Sequence, residues 1–217
     1  MSIALATICP DGLVLCGDRE ENYSDWLQWV IHQMPRPELA LRLLGITDEE
    51  LLLACQGLRP DVKREECIPD RRLDLTIRCG ENLLVVVEVK TVPVGDEVRD
   101  QLLDQSDWLD RQKAKIRRAV LLAPEPLPQL GERFTVLSWN DLCLALRKMV
   151  GELKNTIPLT AFGLILGFVG SVEQNVLDYP GCDAIPSNVG IGKWPELAVY
   201  IAKTLGLEES NGTTGKH

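Results

Sequence analysis

Histidine is nearly missing: the 217-residue chain has two. One of them, His217, closes the polar stretch ESNGTTGKH, and residues 208–217 are expected to be a disordered tail. Zinc centres and Ser/His/Asp catalysis need more imidazole than this, so any chemistry falls to carboxylates and lysines. Cysteine offers no framework either. Its seven residues (Cys9, Cys16, Cys55, Cys67, Cys79, Cys143 and Cys182) are odd in number and contain no CxxC pair. They are expected to be reduced, mostly buried small hydrophobes, as in a cytoplasmic protein. No run approaches the roughly 20 apolar residues of a membrane span. The opening MSIALATICPDG lacks the positive n-region and apolar core of a signal peptide, so a cytoplasmic location is expected. Positive charge is also scarce, with 23 Lys and Arg against 32 Asp and Glu and a formal net charge of −9. That balance argues against a basic coat for nonspecific nucleic-acid binding but leaves room for a local basic groove.

What is present suits one good-sized core and a small appendage. IALATIC and GLVLC, around Pro10-Asp11-Gly12, predict a strand, a turn and a strand. YSDWLQWVIHQM has helical spacing of its apolar residues, with Ser24 as the expected N-cap and Trp26 and Trp29 as core candidates. A helix is expected over 38–55 with a break at Gly45 and Thr47-Asp48. Residues 73–92 predict two strands around Cys79-Gly80-Glu81-Asn82, and charged and apolar residues mix at helical period from about 96 to 118. RAVLLAP and FTVLSW predict strands, and Asp141 to about Lys154 a helix. The order after Asp74 is thus β-β-α-β-β-α, an α/β fold with a central mixed β-sheet flanked by helices. Residues 151–207 are expected to form a C-terminal helical extension, comprising an apolar helix over 159–172 and a last helix over about 195–206, beyond a core of residues 1–150.

The stretch LDLTIRCGENLLVVVEVKT sets polar residues in strands that should exclude them. Side chains alternate along a strand, so Glu88 and Lys90 share one face, and Asp74 is a lone acid in the preceding strand. In an antiparallel hairpin, opposed residues have a constant number sum. A Gly80-Glu81-Asn82 loop makes that sum 162 and puts Asp74 opposite Glu88. Two carboxylates so close repel, and a divalent cation relieves the repulsion. Oxygen-only ligands favour Mg²⁺ or Mn²⁺, with a neighbouring lysine able to orient or deprotonate a bound water.

Asp74, a hairpin and then Glu88-Val89-Lys90 resemble the signature of the PD-(D/E)xK nuclease superfamily, whose fold is restriction-endonuclease-like. The likeness extends from about residue 20 to 150. Glu21-Asn22-Tyr23-Ser24-Asp25-Trp26-Leu27 resembles the acidic first helix of these nucleases, and Gln101-Leu102-Leu103 resembles the helix glutamine after the lysine. RRAVLLAP and FTVLSWNDLCLAL resemble the closing strands and helix. The literal Pro69-Asp70 precedes the strand, which leaves Asp74 as the better match. Some relatives carry an aromatic residue four positions after the helix glutamine, where this chain has Gln105. The resemblance implies Mg²⁺-dependent hydrolysis of phosphodiester bonds, most often in DNA. It implies metal binding by Asp74, Glu88 and the Val89 carbonyl, and catalysis involving Lys90, Glu21 and Gln101, with Glu20 an alternative to Glu21.

Other readings compete. Asp74, Glu88 and Lys90 could form an internal ion-pair network in a nuclease fold used as an interaction or regulatory module. Arg111, Lys113, Lys115, Arg117 and Arg118 read as a solvated helix end or as phosphate contacts. Gly190-Ile191-Gly192-Lys193 fails as a phosphate loop, because Ser187 and Trp194 stand at required Gly and Ser/Thr positions. SIALATICPDGLVLCGDRE resembles the opening of proteasome-type hydrolases, with Ser2 as nucleophile and Asp18 at the matching distance, but Met34-Pro35-Arg36 stands where a lysine is needed. Finally, Gly163, Gly167 and Gly170 in the apolar 159–172 helix would let another backbone approach, which points to a homodimer there.

Overall fold

The computed structural model describes residues 19–68, 71–125, 134–153 and 155–177. The strands expected before residue 18, Ser2, Asp18, Pro69-Asp70, the 187–194 segment, the 195–206 helix and the 208–217 tail lie outside the described residues. All described residues fall in one compact unit.

The first helix, α1 (Glu20–Gln33), begins with two acids in its first turn, where carboxylates favour the helix dipole. It starts four residues before Ser24, which therefore does not cap it. Ser24 is buried in the first turns, and its hydroxyl donates to the Glu21 carbonyl at 3.0 Å. Tyr23, Leu27, Val30 and Ile31 form the buried stripe. Helix α2 (Pro37–Leu43) opens on proline at a position that needs no N–H, and α3 (Glu49–Ala54) follows Gly45, whose φ of 72° ends the first segment.

Five strands form one sheet in chain order: β1 (Asp61–Ile68), β2 (Arg71–Cys79), β3 (Leu83–Val89), β4 (Ile116–Ala123) and β5 (Phe134–Ser138). β1, β2 and β3 pair antiparallel, whereas β3, β4 and β5 pair parallel. Helix α4 (Asp96–Asp110) connects the parallel pair β3 and β4, and α5 (Trp139–Leu153) and α6 (Leu159–Asn175) follow. The architecture is α/β, a mixed sheet flanked by helices, as expected. Every residue of β3 is buried, so both of its faces are covered. Leu84 and Val86 pack with Leu102 and Leu109 of α4 on one face. By register, Leu75, Ile77, Val85 and Val87 share the other face with Val62 and Arg64. There α1 holds β1 through Gln28 to the Val62 carbonyl and Asp25 to Arg64.

The structure adds one strand and shortens one expected helix. Nothing in DVKREECI signals a strand, because it is mostly charged, yet β1 pairs along most of β2 as an amphipathic edge strand. Helix α4 ends at Asp110, and the basic residues beyond it run through a short loop into β4 rather than along a helix end. Arg117 donates to the Asp110 and Gln112 carbonyls, and Arg118 pairs with Asp48 at 3.6 Å. The apolar helix expected over 159–172 is present as α6. Phe162, Ile165, Phe168, Val169 and Val172 of α6 are buried, and this helix packs against α5 and α1 of its own chain. Phe168 stacks on Trp26 and meets Trp139 edge-on at 6.3 Å. Among the described residues nothing lies within 4 Å of where a Cβ at Gly163 would stand. Residue 150, the expected edge of the core, lies inside α5. Among the described residues no helix is long and apolar enough to cross a membrane.

Candidate active site

The hairpin loop settles the phase of the site. Cys79 pairs with Leu83 and Leu75 with Val87, a constant sum of 162, with Gly80 at a φ of 57° in the three-residue loop. Asp74 and Glu88 lie one position beyond the last pair. The pairing of β2 with β1 lapses at that point. Arg64 pairs with Leu75 and Glu66 with Leu73, so Glu65, at a φ of 53°, and Asp74 are skipped. Leu73 then packs with Leu84 and Val86 on the α4 side, and Arg71 reaches Asp104 of α4. The register is the same on both sides of this lapse, so Glu65, in a left-handed conformation, still stands opposite Asp74. The Asp74 Oδ2 accepts the Val89 N–H at 2.8 Å.

Glu88 is 1% exposed and is met by three donors. Gln101 Nε2 donates to Oε1 at 2.5 Å and Gln105 Nε2 to Oε2 at 2.5 Å. Lys90 Nζ stands 2.8 Å from Oε1. Lys90 also reaches Glu20 Oε2 at 3.3 Å, and the other oxygen of Glu20 accepts the Thr91 N–H. The end of β3 is fixed from two more sides, since Lys90 N–H donates to the Leu122 carbonyl and Trp139 Nε1 donates to the Lys90 carbonyl at 2.7 Å.

Asp74, Glu88, Val89, Lys90 and Gln101 are thus gathered at one end of β3. Glu21 is not: it is exposed, and Glu20, one helical step away, makes the contact with Lys90. A 100° step per residue decides between the two, and sequence leaves it open. Gln105 was missed as a contact. Its signal was the i, i+4 spacing from Gln101, which puts both amides on one side of α4. The basic run lies elsewhere. Leu83 pairs with Ile116, whereas Glu88 pairs with Leu121, so Arg117 and Lys115 sit near the opposite end of β3, ~17 Å away along the strand.

Burial above all, and then the Glu88 carboxylate, push the Asp74 carboxyl up to about 7. Burial disfavours the Lys90 ammonium, but Glu88, Glu20 and Asp74 more than offset it and hold its pKa above the ordinary value. Among the described residues no three His, Cys, Asp or Glu side chains converge closely enough to hold a metal by side chains alone. Three acids, Glu88, Glu20 and Asp74, thus surround the Lys90 ammonium, the first two in direct ion pairs with it.

Two solved structures are similar over part of the chain. One is a complex of EndoMS with dsDNA, 22% identical, covering 38% of this chain and 37% of that chain at a TM-score of 0.31. The other is a repair endonuclease from Pyrococcus abyssi, 20% identical, covering 38% of each chain at a TM-score of 0.32. The matched part is thus well under half the length of either protein. No protein-family model and no curated protein matches.

The raised Asp74 carboxyl has a measurable consequence. A folded-state value above the unfolded value of 3.8 means that stability is fully present below about pH 4 and is lost as pH rises through 7. Asp74→Asn keeps an oxygen for the Val89 N–H and stays neutral. Without divalent cations, it is expected to exceed the wild type at pH 8 by on the order of 1–3 kcal/mol, with the gain vanishing below pH 4. Urea melts at the two pH values in EDTA check this, and an equal or lower stability at pH 8 would contradict it.

Proposed function

We propose that this chain is a divalent-metal-dependent nuclease of the PD-(D/E)xK kind that hydrolyses phosphodiester bonds, with DNA as its substrate. The observation that carries this reading is the meeting of Asp74, Glu88 and Lys90 at one end of β3, with a charged ammonium against a buried carboxylate. The donor set suits Mg²⁺ or Mn²⁺. Asp74, Glu88 and the Val89 carbonyl are hard oxygen ligands, and the upward shift of Asp74 marks negative charge that a divalent cation would relieve. Such a cation supplies Lewis-acid polarisation of the phosphate and a more acidic water.

The protein's own groups then have separable tasks. Lys90, held above its ordinary pKa, is an ammonium at neutral pH, so it orients the attacking water and stabilises charge growing on the phosphate rather than removing a proton. Glu20 holds that ammonium and, through the Thr91 N–H, the backbone beside it. In this proposal Glu20 takes the assisting role that sequence placed on Glu21, and Gln101 serves Glu88 rather than the substrate.

A second reading has its own support. Both oxygens of Glu88 and the Lys90 ammonium already have protein partners, as in a satisfied ion network of a catalytically silent module. Incubation with plasmid, linear and branched DNA and with RNA, with and without Mg²⁺ or Mn²⁺, separates the two. The nuclease reading expects cleavage that EDTA stops and that Asp74→Ala abolishes. No metal-dependent cleavage of any of these substrates, or full cleavage by Asp74→Ala, would leave the silent module standing.

A further inference from the structure

The buried face of α4 contains an anomaly. Leu102, Gln105 and Leu109 follow one another at i, i+3 and i+7 and are all buried, so an amide occupies the centre of an apolar stripe. A buried amide is costly unless it is hydrogen-bonded, and the partner of this one is Oε2 of Glu88 at 2.5 Å. One turn earlier, Gln101 donates to Oε1 at the same distance. A carboxylate only accepts, so each amide must present its nitrogen. The last torsion of a glutamate is broad and soft, so no rotamer preference fixes the plane of its carboxylate. Two donors from one helix, each on a different oxygen, do fix it. That helix is in turn seated by Leu102 and Leu109 against Leu84 and Val86 of the strand that carries Glu88.

We propose that Gln105 is a positioning residue that, together with Gln101, grips both oxygens of Glu88 and sets the plane of this carboxylate for a divalent cation. The proposal rests on the metal-nuclease reading above and assigns a role to a position at which the sequence resemblance offers only a departure. Gln105 touches neither substrate nor cation in this role; it acts through Glu88. The pairing also accounts for a polar residue at the centre of the helix's core face, since the amide and the carboxylate satisfy each other.

Two measurements test it. In nuclear magnetic resonance spectra of the wild type, the Gln105 side-chain amide protons are expected to be shifted downfield and slow to exchange, and to return toward ordinary positions in Glu88→Ala. Gln105→Met keeps the length of the side chain and removes its donors. With its fold verified by circular dichroism, it is expected to bind Mn²⁺ 10–100-fold more weakly by electron paramagnetic resonance titration. Its cleavage should recover in part at saturating Mn²⁺. A purely structural role would lower the melting temperature without moving the Mn²⁺ affinity. Ordinary, fast-exchanging Gln105 amide protons in the wild type, or an unchanged Mn²⁺ affinity in folded Gln105→Met, would overturn the role of Gln105 alone. A wild type that binds no Mn²⁺ would overturn the metal-site reading, and the positioning role with it, even with the amide signals showing the grip intact.

Discussion

Lys90→Ala is expected to remain folded and to lose metal-dependent DNA cleavage by about 10³-fold or more, the scale at which a positioned charge or proton-handling group contributes. The ammonium stands 2.8 Å from Glu88 and 3.3 Å from Glu20 and is drawn on by Asp74 as well. Its removal takes away the cation that these three acids share and leaves Glu88 with its two amide donors. The stability cost should be of the order of 1–3 kcal/mol, because those amides still satisfy the buried carboxylate. Metal binding should behave differently from cleavage. The lysine competes with any cation for Oε1 of Glu88, so the variant is expected to bind Mn²⁺ at least as tightly as the wild type. Lys90→Arg is not a conservative rescue, since a planar guanidinium does not fit where a compact ammonium sits. Cleavage rates with Mg²⁺, read beside circular dichroism and Mn²⁺ titration, decide the matter. A folded variant that cleaves at the wild-type rate would remove Lys90 from the chemistry.

Trp139→Ala is expected to be the most damaging single change to stability, at about 3–5 kcal/mol. Trp139 is fully buried at the start of α5, where Ser138 accepts the Asp141 N–H and caps the helix. Its ring meets Tyr23 of α1 and Phe168 of α6 edge-on, and its indole N–H holds the Lys90 carbonyl. One side chain thus joins three helices to the strand end that carries the site. Trp139→Phe removes the hydrogen bond but keeps much of the ring packing, and should cost less, about 1–3 kcal/mol. For a chain of this size the alanine variant should melt about 10 °C lower or more, and calorimetry checks both. An alanine variant that melts within 2–3 °C of the wild type, roughly what 1 kcal/mol gives, would refute this account.

The hairpin was legible because its information is arithmetic: an odd loop fixes which residues oppose, and Gly80 marks where positive φ is needed. The alternation of Glu88 and Lys90 was legible for the same reason. What stayed hidden depends on tertiary partners. β1 is a strand because β2 offers an edge to pair with, not because DVKREECI has the composition of one. Glu20 rather than Glu21 reaches Lys90 because of where α1 is seated, and Gln105 looks like a misfit on α4 until Glu88 is placed beside it. The lapse in pairing at Glu65 and Asp74 has no signature in the residues themselves, since neither is glycine.

Leu-Leu-Val-Val-Val, the first five residues of β3, is apolar on both faces and buried on both faces. Such a segment carries no frame of its own, because sliding it by one position exchanges one valine or leucine for another and costs the core little. The polar residues at its end therefore act as an indexing pin. The Asp74 bond to the Val89 N–H and the two amides on Glu88 are satisfied in one alignment only, and a one-residue slip would drive Glu88 into the apolar layer under α1. The same groups that suit the strand end for chemistry thus choose which of several nearly equivalent sheets this chain builds.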